Sequence, residues 1–180
     1  IMDADLPEVL EAIDRAIAAE EGPASWALLD RIQGHLSAQG RYAELIGRGD
    51  RLLALLSEES IEMPAVLGLL GLCYRMVGEV TKAIYCHERS FGIESKQARP
   101  RGQAADLGNL GLCYRRLGDL AKAIDFHTRS AALYEQIGRL KEQATQLGHV
   151  GNGYVNLHDL PKAVDHLEQA LSIAEKIGHI

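Results

Sequence analysis

The chain has 180 residues, of which 47% are hydrophobic, 24% charged and 5% aromatic, a composition typical of one folded domain or a short repeat array. No stretch approaches the roughly 18 to 20 apolar residues of a membrane-spanning helix, and the first residues lack the basic and apolar regions of a signal peptide, so a cytoplasmic location is expected. Residues 1–22 carry the whole net charge of −6, which leaves the remainder balanced at 18 acidic and 18 basic residues and without a basic excess for nucleic acid.

The N-terminal part contains a weak form of a pattern that strengthens downstream. Residues 1–22 are predicted to form the second helix of a helical hairpin, because Asp5-Leu6-Pro7 matches Asp159-Leu160-Pro161. Residues 23–60 are predicted to form a degenerate hairpin, with helices of about 23–38 and 42–57 on either side of a Gln-Gly turn.

From residue 61 the chain repeats with a period of 40 residues. Residues 71–90 and 111–130 are identical at twelve of twenty positions, and residues 111–130 and 151–170 at eight. Apolar residues follow helical spacing in two runs per unit, which predicts a pair of helices in each. The first helices are expected at about 62–77, 102–117 and 141–157, and the second helices at about 80–95, 120–137 and 160–177. We therefore predict three repeats, 61–100, 101–139 and 140–180, within a single domain spanning 1–180.

Mid-helix glycines recur with the same period. Each costs about 1 kcal/mol relative to alanine, so the first series is expected to pack closely on a small residue of the second helix, and the tyrosines three residues later are expected to fill the space between hairpins. The second series has two interpretations, tight packing between neighbouring first helices or an open groove floor. The first series is Gly71, Gly111 and Gly151 with Ala83, Ala123 and Ala163 as partners; the tyrosines are Tyr74, Tyr114 and Tyr154; the second series is Gly68, Gly108 and Gly148.

The residues Leu110, Gly111, Tyr114, Leu117, Gly118, Asp119, Lys122, Ala123 and Ile124 form a pattern that resembles the tetratricopeptide repeat. The resemblance is strong over 61–180 and weak over 23–60. The 40-residue period is longer than the usual 34 or so and is similar to the Leu-Gly-Asn-repeat adaptors and kinesin light chain. The chain departs from the family pattern at His87, His127, Ser90 and Ser130. The resemblance implies an all-α, right-handed superhelical solenoid of about four hairpins plus an N-terminal helix.

The resemblance also implies that the first helices line a concave groove that binds a peptide or segment of a partner protein. Nine side chains on three first helices match groove positions of the family, and no cofactor is implied. They are Arg75, Met76, Asn109, Leu112, Arg115, Arg116, His149, Asn152 and Asn156.

Arginines at one repeat position give the groove its expected specificity. Arg75, Arg115 and the adjacent Arg116 are suited to bind carboxylates through bidentate hydrogen bonds, and the asparagines are suited to bind backbone amides. These residues favour a partner peptide with acidic side chains or a free C-terminus. The alternative is that the arginines are solvated or paired with acids of the chain itself, such as Asp106 or Glu79.

The histidines and cysteines are not expected to bind metal. His87 and His127 occupy equivalent positions in adjacent hairpins, about 10 Å apart, whereas zinc ligands lie about 2.1 Å from the ion, so packing between helices is favoured. Cys73, Cys86 and Cys113 include no C-x-x-C pair and are expected to be reduced thiols. The chain lacks the sequence motifs of the common hydrolases and nucleotide-binding enzymes, so neither catalytic residues nor enzymatic activity is predicted.

The C-terminal helix is expected to present Leu167, Leu171 and Ile177 on a side where a further hairpin would stack. Either the chain is a fragment of a longer protein, or the terminal helices pair in a homodimer. The predicted function is a non-catalytic adaptor that binds a protein segment in its groove, without nucleic acid or membrane partners. The alternative is a regulatory or sensor arm of a larger signalling ATPase or transcription regulator; an RNA-binding repeat is disfavoured by the even charge.

Overall fold

The computed structural model describes residues 5–178, and no strand occurs among them. The helices in this range, in chain order, are α1 (Leu6–Ala18), α2 (Gly22–Ala38), α3 (Tyr42–Leu53), α4 (Met63–Met76), α5 (Val80–Lys96), α6 (Pro100–Arg116), α7 (Leu120–Gln136), α8 (Leu140–Asn156) and α9 (Leu160–Gly178). The predicted all-α class is confirmed. Over the described residues, no helix combines the length and hydropathy needed to cross a membrane.

The α3 helix is shorter than the sequence predicts. It ends at Leu53 rather than near residue 57, because the next leucines leave the helical path to pack on the start of α2. A Cβ at Gly22 would lie 3.0 Å from the Leu56 side chain and 3.8 Å from Cβ of Leu55. The apolar run therefore continues past the helix, which periodicity alone did not reveal.

The chain divides into two compact units, Ile1–Cys86 and His87–Ile180, and this boundary falls inside α5. The predicted single domain of hairpin repeats remains an interpretation of the sequence.

The first unit has an apolar core supplied by α1 to α4. Gly49 of α3 lies against the Leu70 side chain of α4, so closely that a Cβ there would be 2.7 Å from Leu70 Cδ2. Asp14 of α1 binds two arginines of α3, Arg48 at 2.8 Å and Arg51 at 2.7 Å. The fully buried side chains of this core are Ile13, Leu29, Ile32, Leu36, Leu45, Leu52, Met63, Val66, Leu67 and Leu70.

In the second unit α6 packs on α7, α7 on α8, and α8 on α9. Gly153 of α8 approaches α7 so closely that a Cβ would be 2.6 Å from Ile124 Cγ1. The buried apolar residues of these helices are Ala104, Leu107, Leu110, Cys113, Ala123, Ile124, Ala131, Tyr134, Leu147, Val150 and Ala163.

Left-handed backbone conformations separate the helices of each hairpin. The turn residues Gly40, Gly78, Gly118 and His158 have φ values of 71°, 91°, 81° and 59°, in a region that glycine adopts without the steric penalty of a Cβ. The next residue caps the following helix in two turns, since Asp119 accepts a hydrogen bond from the Lys122 amide at 3.1 Å and Asp159 does so at the equivalent position.

The repeated glycines contact larger residues than predicted. A Cβ on Gly111 would lie 2.7 Å from the imidazole of His127, and a Cβ on Gly151 would lie 2.6 Å from Cγ of Leu167. The close contact with the second helix is therefore present at both positions. At Gly151 it includes the carbonyl oxygen of the expected Ala163 at 3.2 Å, whereas at Gly111 His127 makes it instead of the expected Ala123.

The second glycine series is not uniform. A Cβ on Gly108 would lie 3.1 Å from the Gln146 amide of α8, whereas Gly68 and Gly148 have open space around this point. Packing between first helices therefore explains Gly108, and the space at the other two positions is unfilled.

The repeated tyrosines lie beneath lysines of the following helix. The ammonium groups of Lys82, Lys122 and Lys162 are 5.4, 4.9 and 5.2 Å from the ring centroids of Tyr74, Tyr114 and Tyr154. The Tyr74 hydroxyl reaches the preceding hairpin, where it donates to Asp50 of α3 at 2.8 Å. The other two rings stack within their own hairpins, on Phe126 and His166 respectively.

All three thiols are buried. Burial raises the pKa of the Cys73 thiol to about 11, because a thiolate loses its hydration in apolar surroundings.

Candidate functional site

A buried polar cluster of three side chains links α5 to α6 in the second unit. His87 lies 3.4 Å from the Asp106 carboxylate through Nδ1, and Ser90 donates to the other Asp106 oxygen at 2.7 Å. All three side chains are buried. The two departures from the family pattern at 87 and 90 thus supply hydrogen bonds to a carboxylate that would otherwise be costly to bury.

The same arrangement recurs 40 residues later with a neutral acceptor. Nδ1 of the buried His127 donates to Oε1 of Gln146 at 2.8 Å, and Ser130 donates to the Ala104 carbonyl at 2.7 Å. Both histidines therefore lie between helices, as the sequence interpretation favoured. Over residues 5–178, no group lies within hydrogen-bonding distance of His127 Nε2.

The imidazole of His127 supports a second histidine nearer the surface. The ring of His149 on α8 lies 4.7 Å from that of His127 at 33°, and His149 is half-buried. Burial, and then the positive charge of Arg115, lower the pKa of His149. The structure therefore brings Arg115 of α6 and His149 of α8 into one electrostatic neighbourhood.

The Arg115 guanidinium is exposed, and in the part of the chain that the structure describes it forms no ion pair. Asp106, one of the acids proposed to neutralise it, is buried and pairs with His87 instead. Glu79, the other, forms an ion pair with Lys82 at 3.6 Å. Intramolecular pairing with these two acids is therefore wrong for Arg115, and solvation is left as the alternative to ligand binding.

The nine predicted groove residues fall in both units. Arg75, half-buried, and Met76, exposed, lie on α4 of the first unit, and the other seven lie on α6 and α8 of the second. Of those seven, three are half-buried and four are exposed. The half-buried residues are Asn109, Leu112 and His149, and the exposed residues are Arg115, Arg116, Asn152 and Asn156. Among these nine, the charge of Arg115 lowers the pKa of His149, after the larger effect of burial.

The first unit has an open depression between α2 and α4, with a volume of about 630 Å³. Gly34 and Gly68, which both have open space where a Cβ would lie, border it together with Leu72 and the polar α2 residues Asp30, Arg31, Gln33 and Ser37.

The sequence interpretation missed Gln146, which holds His127 and covers Gly108. The repeat spacing in the sequence could have identified Gln146. Asp106 and Gln146 are 40 residues apart, and each follows its histidine by 19 residues. A polar residue recurring within a buried helical face is the feature that identifies such a pair.

Comparison with known proteins identifies the repeat. The family model described as tetratricopeptide repeat matches residues 62–136. Residues 62–136 therefore contain tetratricopeptide repeats. Proteins with these repeats generally bind protein partners and are typically non-catalytic scaffolds. No curated protein matches the sequence.

Solved structures with the same fold have low sequence identity to this chain. MamA is 19% identical with a TM-score of 0.70, covering 100% of this chain and 99% of MamA. A putative kinesin light chain with TPR-like repeats from Podosopora anserina is 17% identical, with a TM-score of 0.67 and complete coverage of both chains. Aspartyl phosphate phosphatase F from Bacillus subtilis is 14% identical with a TM-score of 0.78, covering 87% of this chain and 42% of that protein. These likenesses confirm the predicted tetratricopeptide-like solenoid fold.

Proposed function

We propose that the protein is a non-catalytic scaffold that binds an acidic segment of a partner protein on the surface formed by α6 and α8. The observation that carries this proposal is the exposed Arg115 guanidinium, which has no carboxylate partner among the described residues and lies near His149. An arginine in this state offers two parallel N–H donors to a carboxylate.

The surroundings of Arg115 support carboxylate binding. His149 rests on His127, which is itself fixed by Gln146, so the imidazole is held in place before a ligand arrives. Asn152 and Asn156 are exposed further along α8 and supply both donors and acceptors for a peptide backbone. Ordered side chains lose little conformational entropy on binding.

A charge reversal tests the proposal. We expect Arg115→Glu to weaken binding of a glutamate-rich peptide with a free C-terminus at least tenfold, about 1.4 kcal/mol, because attraction becomes repulsion. The exposed position predicts little change in melting temperature. Isothermal titration calorimetry gives the affinity.

Lys176→Glu on α9 is the matched control, since it makes the same charge change at another exposed position. Equal affinity of wild type and Arg115→Glu for the acidic peptide would reject the proposal. An equal loss of affinity for the peptide in both variants would show that only the net charge matters, and would also reject the proposal.

The role of a regulatory arm in a larger signalling protein is the second candidate. Its support is that the fold recurs within a longer chain, since the likeness covers only 42% of aspartyl phosphate phosphatase F. Measuring whether binding of the acidic peptide changes the activity of a protein that contains this chain would separate the two roles.

A further inference from the structure

The imidazole of His149 is open to a ligand on the proposed binding surface. It is half-buried, and among residues 5–178 no group forms a hydrogen bond or ion pair with its ring nitrogens. His127, by contrast, is buried and bound to Gln146. The contact between the two rings, with centroids 4.7 Å apart, holds the His149 ring in place without occupying its nitrogens.

The buried ring of His127 also connects this position to the helix that carries Arg115. A Cβ on Gly111 of α6 would lie 2.7 Å from the His127 ring. Arg115 follows Gly111 by four residues, which is one helical turn along the same face of α6. His127 therefore contacts α6 one turn before Arg115, and on its other side it contacts α8 at His149.

The charged groups that face His149 are cationic or neutral. Arg115 lowers the pKa of both histidines, after the larger effect of burial. Within the described part of the chain, no carboxylate acts on either ring, although α6, α7 and α8 each carry acids that pair elsewhere. These pairs are Asp106 with His87 and Ser90, Asp125 with Arg129, and Glu142 with Arg139. Glu135 on α7 and the acids of α9 are exposed and do not act on His149.

A carboxylate bound at Arg115 would reverse this balance. It would neutralise the charge that disfavours a second cation beside Arg115, and it would give the imidazolium form of His149 a negative partner. An imidazolium donates from both ring nitrogens, whereas a neutral imidazole donates from one. Hydrogen bonds between ionised partners are roughly twice as strong as those between neutral groups, so the bound carboxylate favours protonation of His149.

We propose, building on the function proposed above, that His149 is a second ligand for the carboxylate held by Arg115 and that the acidic segment binds with uptake of a proton by this imidazole. The complex then holds more protons than the free protein, so the affinity rises as pH falls. One proton taken up strengthens binding by up to about tenfold per pH unit. The rise ends near the pKa of His149 in the free protein, which burial and Arg115 place below its ordinary value.

Calorimetric titration of the full chain with the glutamate-rich peptide at pH 8 and pH 6 tests this inference. We expect wild type to bind at least about threefold more tightly at pH 6, while the peptide carboxylates, which titrate near 4.3 or so, stay ionised at both values. His149→Gln cannot take up the proton and should bind equally at the two pH values. His158→Asn removes an exposed turn histidine and is the matched control, which should keep the pH dependence of wild type.

An NMR titration of the imidazole resonances measures the proton directly in the unmodified chain. The pKa of His149 should be higher with saturating peptide than without it. An unchanged pKa, or a pH dependence of binding that persists in His149→Gln, would overturn the inference.

The same titrations separate this inference from the proposed function. Binding that Arg115→Glu weakens, but that is equally tight at pH 8 and pH 6 in wild type, would overturn the role of His149 and leave the acidic-segment surface standing. Absence of peptide binding at both pH values would overturn the two together.

Discussion

At Gly111 the absence of a side chain makes room for a buried imidazole. The ring of His127 is fixed by its bond to Gln146 and by contact with His149, so it cannot move aside for a Cβ that would lie 2.7 Å away. The glycine is therefore a packing requirement of α6, and the cost of placing it in a helix is offset by the contact it allows.

A pair of alanine substitutions tests this requirement. We expect Gly111→Ala to lower the melting temperature, because overpacking costs about 1–3 kcal/mol and exceeds the gain in helix propensity. Gly148→Ala has open space around the new Cβ and should raise stability by about 0.5–1 kcal/mol. Thermal unfolding followed by circular dichroism compares the two, and similar shifts in both variants would contradict the packing role.

His127 also makes stability depend on pH. Burial, partly opposed by the hydrogen bond to Gln146, lowers its pKa to about 4, whereas an unfolded histidine titrates near 6.5 or so. Between these values the unfolded state binds more protons, so the free energy of unfolding falls as pH drops through this window, by up to roughly 1.4 kcal/mol per pH unit.

Replacing the imidazole should remove this dependence. His127→Gln keeps a polar group near Gln146 but cannot be protonated, so its free energy of unfolding should vary less between pH 6.5 and pH 4. Urea titrations at several pH values give the slope of the free energy of unfolding against pH. The control is His158→Asn, at an exposed turn position. An unchanged slope in His127→Gln would show that another group titrates.

At the scale of helices and turns, the backbone conformation repeats more faithfully than the residue type. Three hairpin turns place glycine in the left-handed region, while the last turn places His158 there at a φ of 59°. An L-residue in this conformation carries a steric cost of roughly 1–2 kcal/mol.

We expect His158→Gly to raise the free energy of unfolding by up to about 1 kcal/mol, since relief of the steric cost exceeds the added entropy of the unfolded chain. Chemical denaturation measures the change. The matched control is Gly118→Ala, with a φ of 81° at the equivalent turn, which should be destabilised. If both substitutions moved stability in the same direction, the conformational explanation would fail.

The helices were predictable from sequence because their spacing, turn residues and 40-residue period agree. The end of α3 was not, because Leu55 and Leu56 have helical spacing but pack outside the helix on Gly22. For the candidate site, periodicity placed Arg115 and His149 on first helices, but it did not show that His149 lies against the buried ring of His127. That contact joins α7 to α8, and a one-dimensional pattern does not contain it.

At the scale of the molecule, tetratricopeptide repeats are stabilised by contacts between neighbouring elements. Each helix of the second unit packs on the next, and the burial of residues declines at α9, where Ala163 is the one buried residue among those described for that helix. Neighbouring α8 buries Gln143, Leu147, Val150, Gly151 and Gly153. The least buried helix of the series α6 to α9 is thus α9, which packs on α8.

The reactivity of the buried thiols can be used to measure how often the protein opens locally. Cys73 lies on α4 of the first unit and Cys113 on α6 of the second, and a thiol must reach solvent and ionise before it reacts. Brief alkylation followed by mass spectrometry would therefore measure, separately at Cys73 and Cys113, how often each unit exposes its interior. No reporter residue needs to be introduced by mutation.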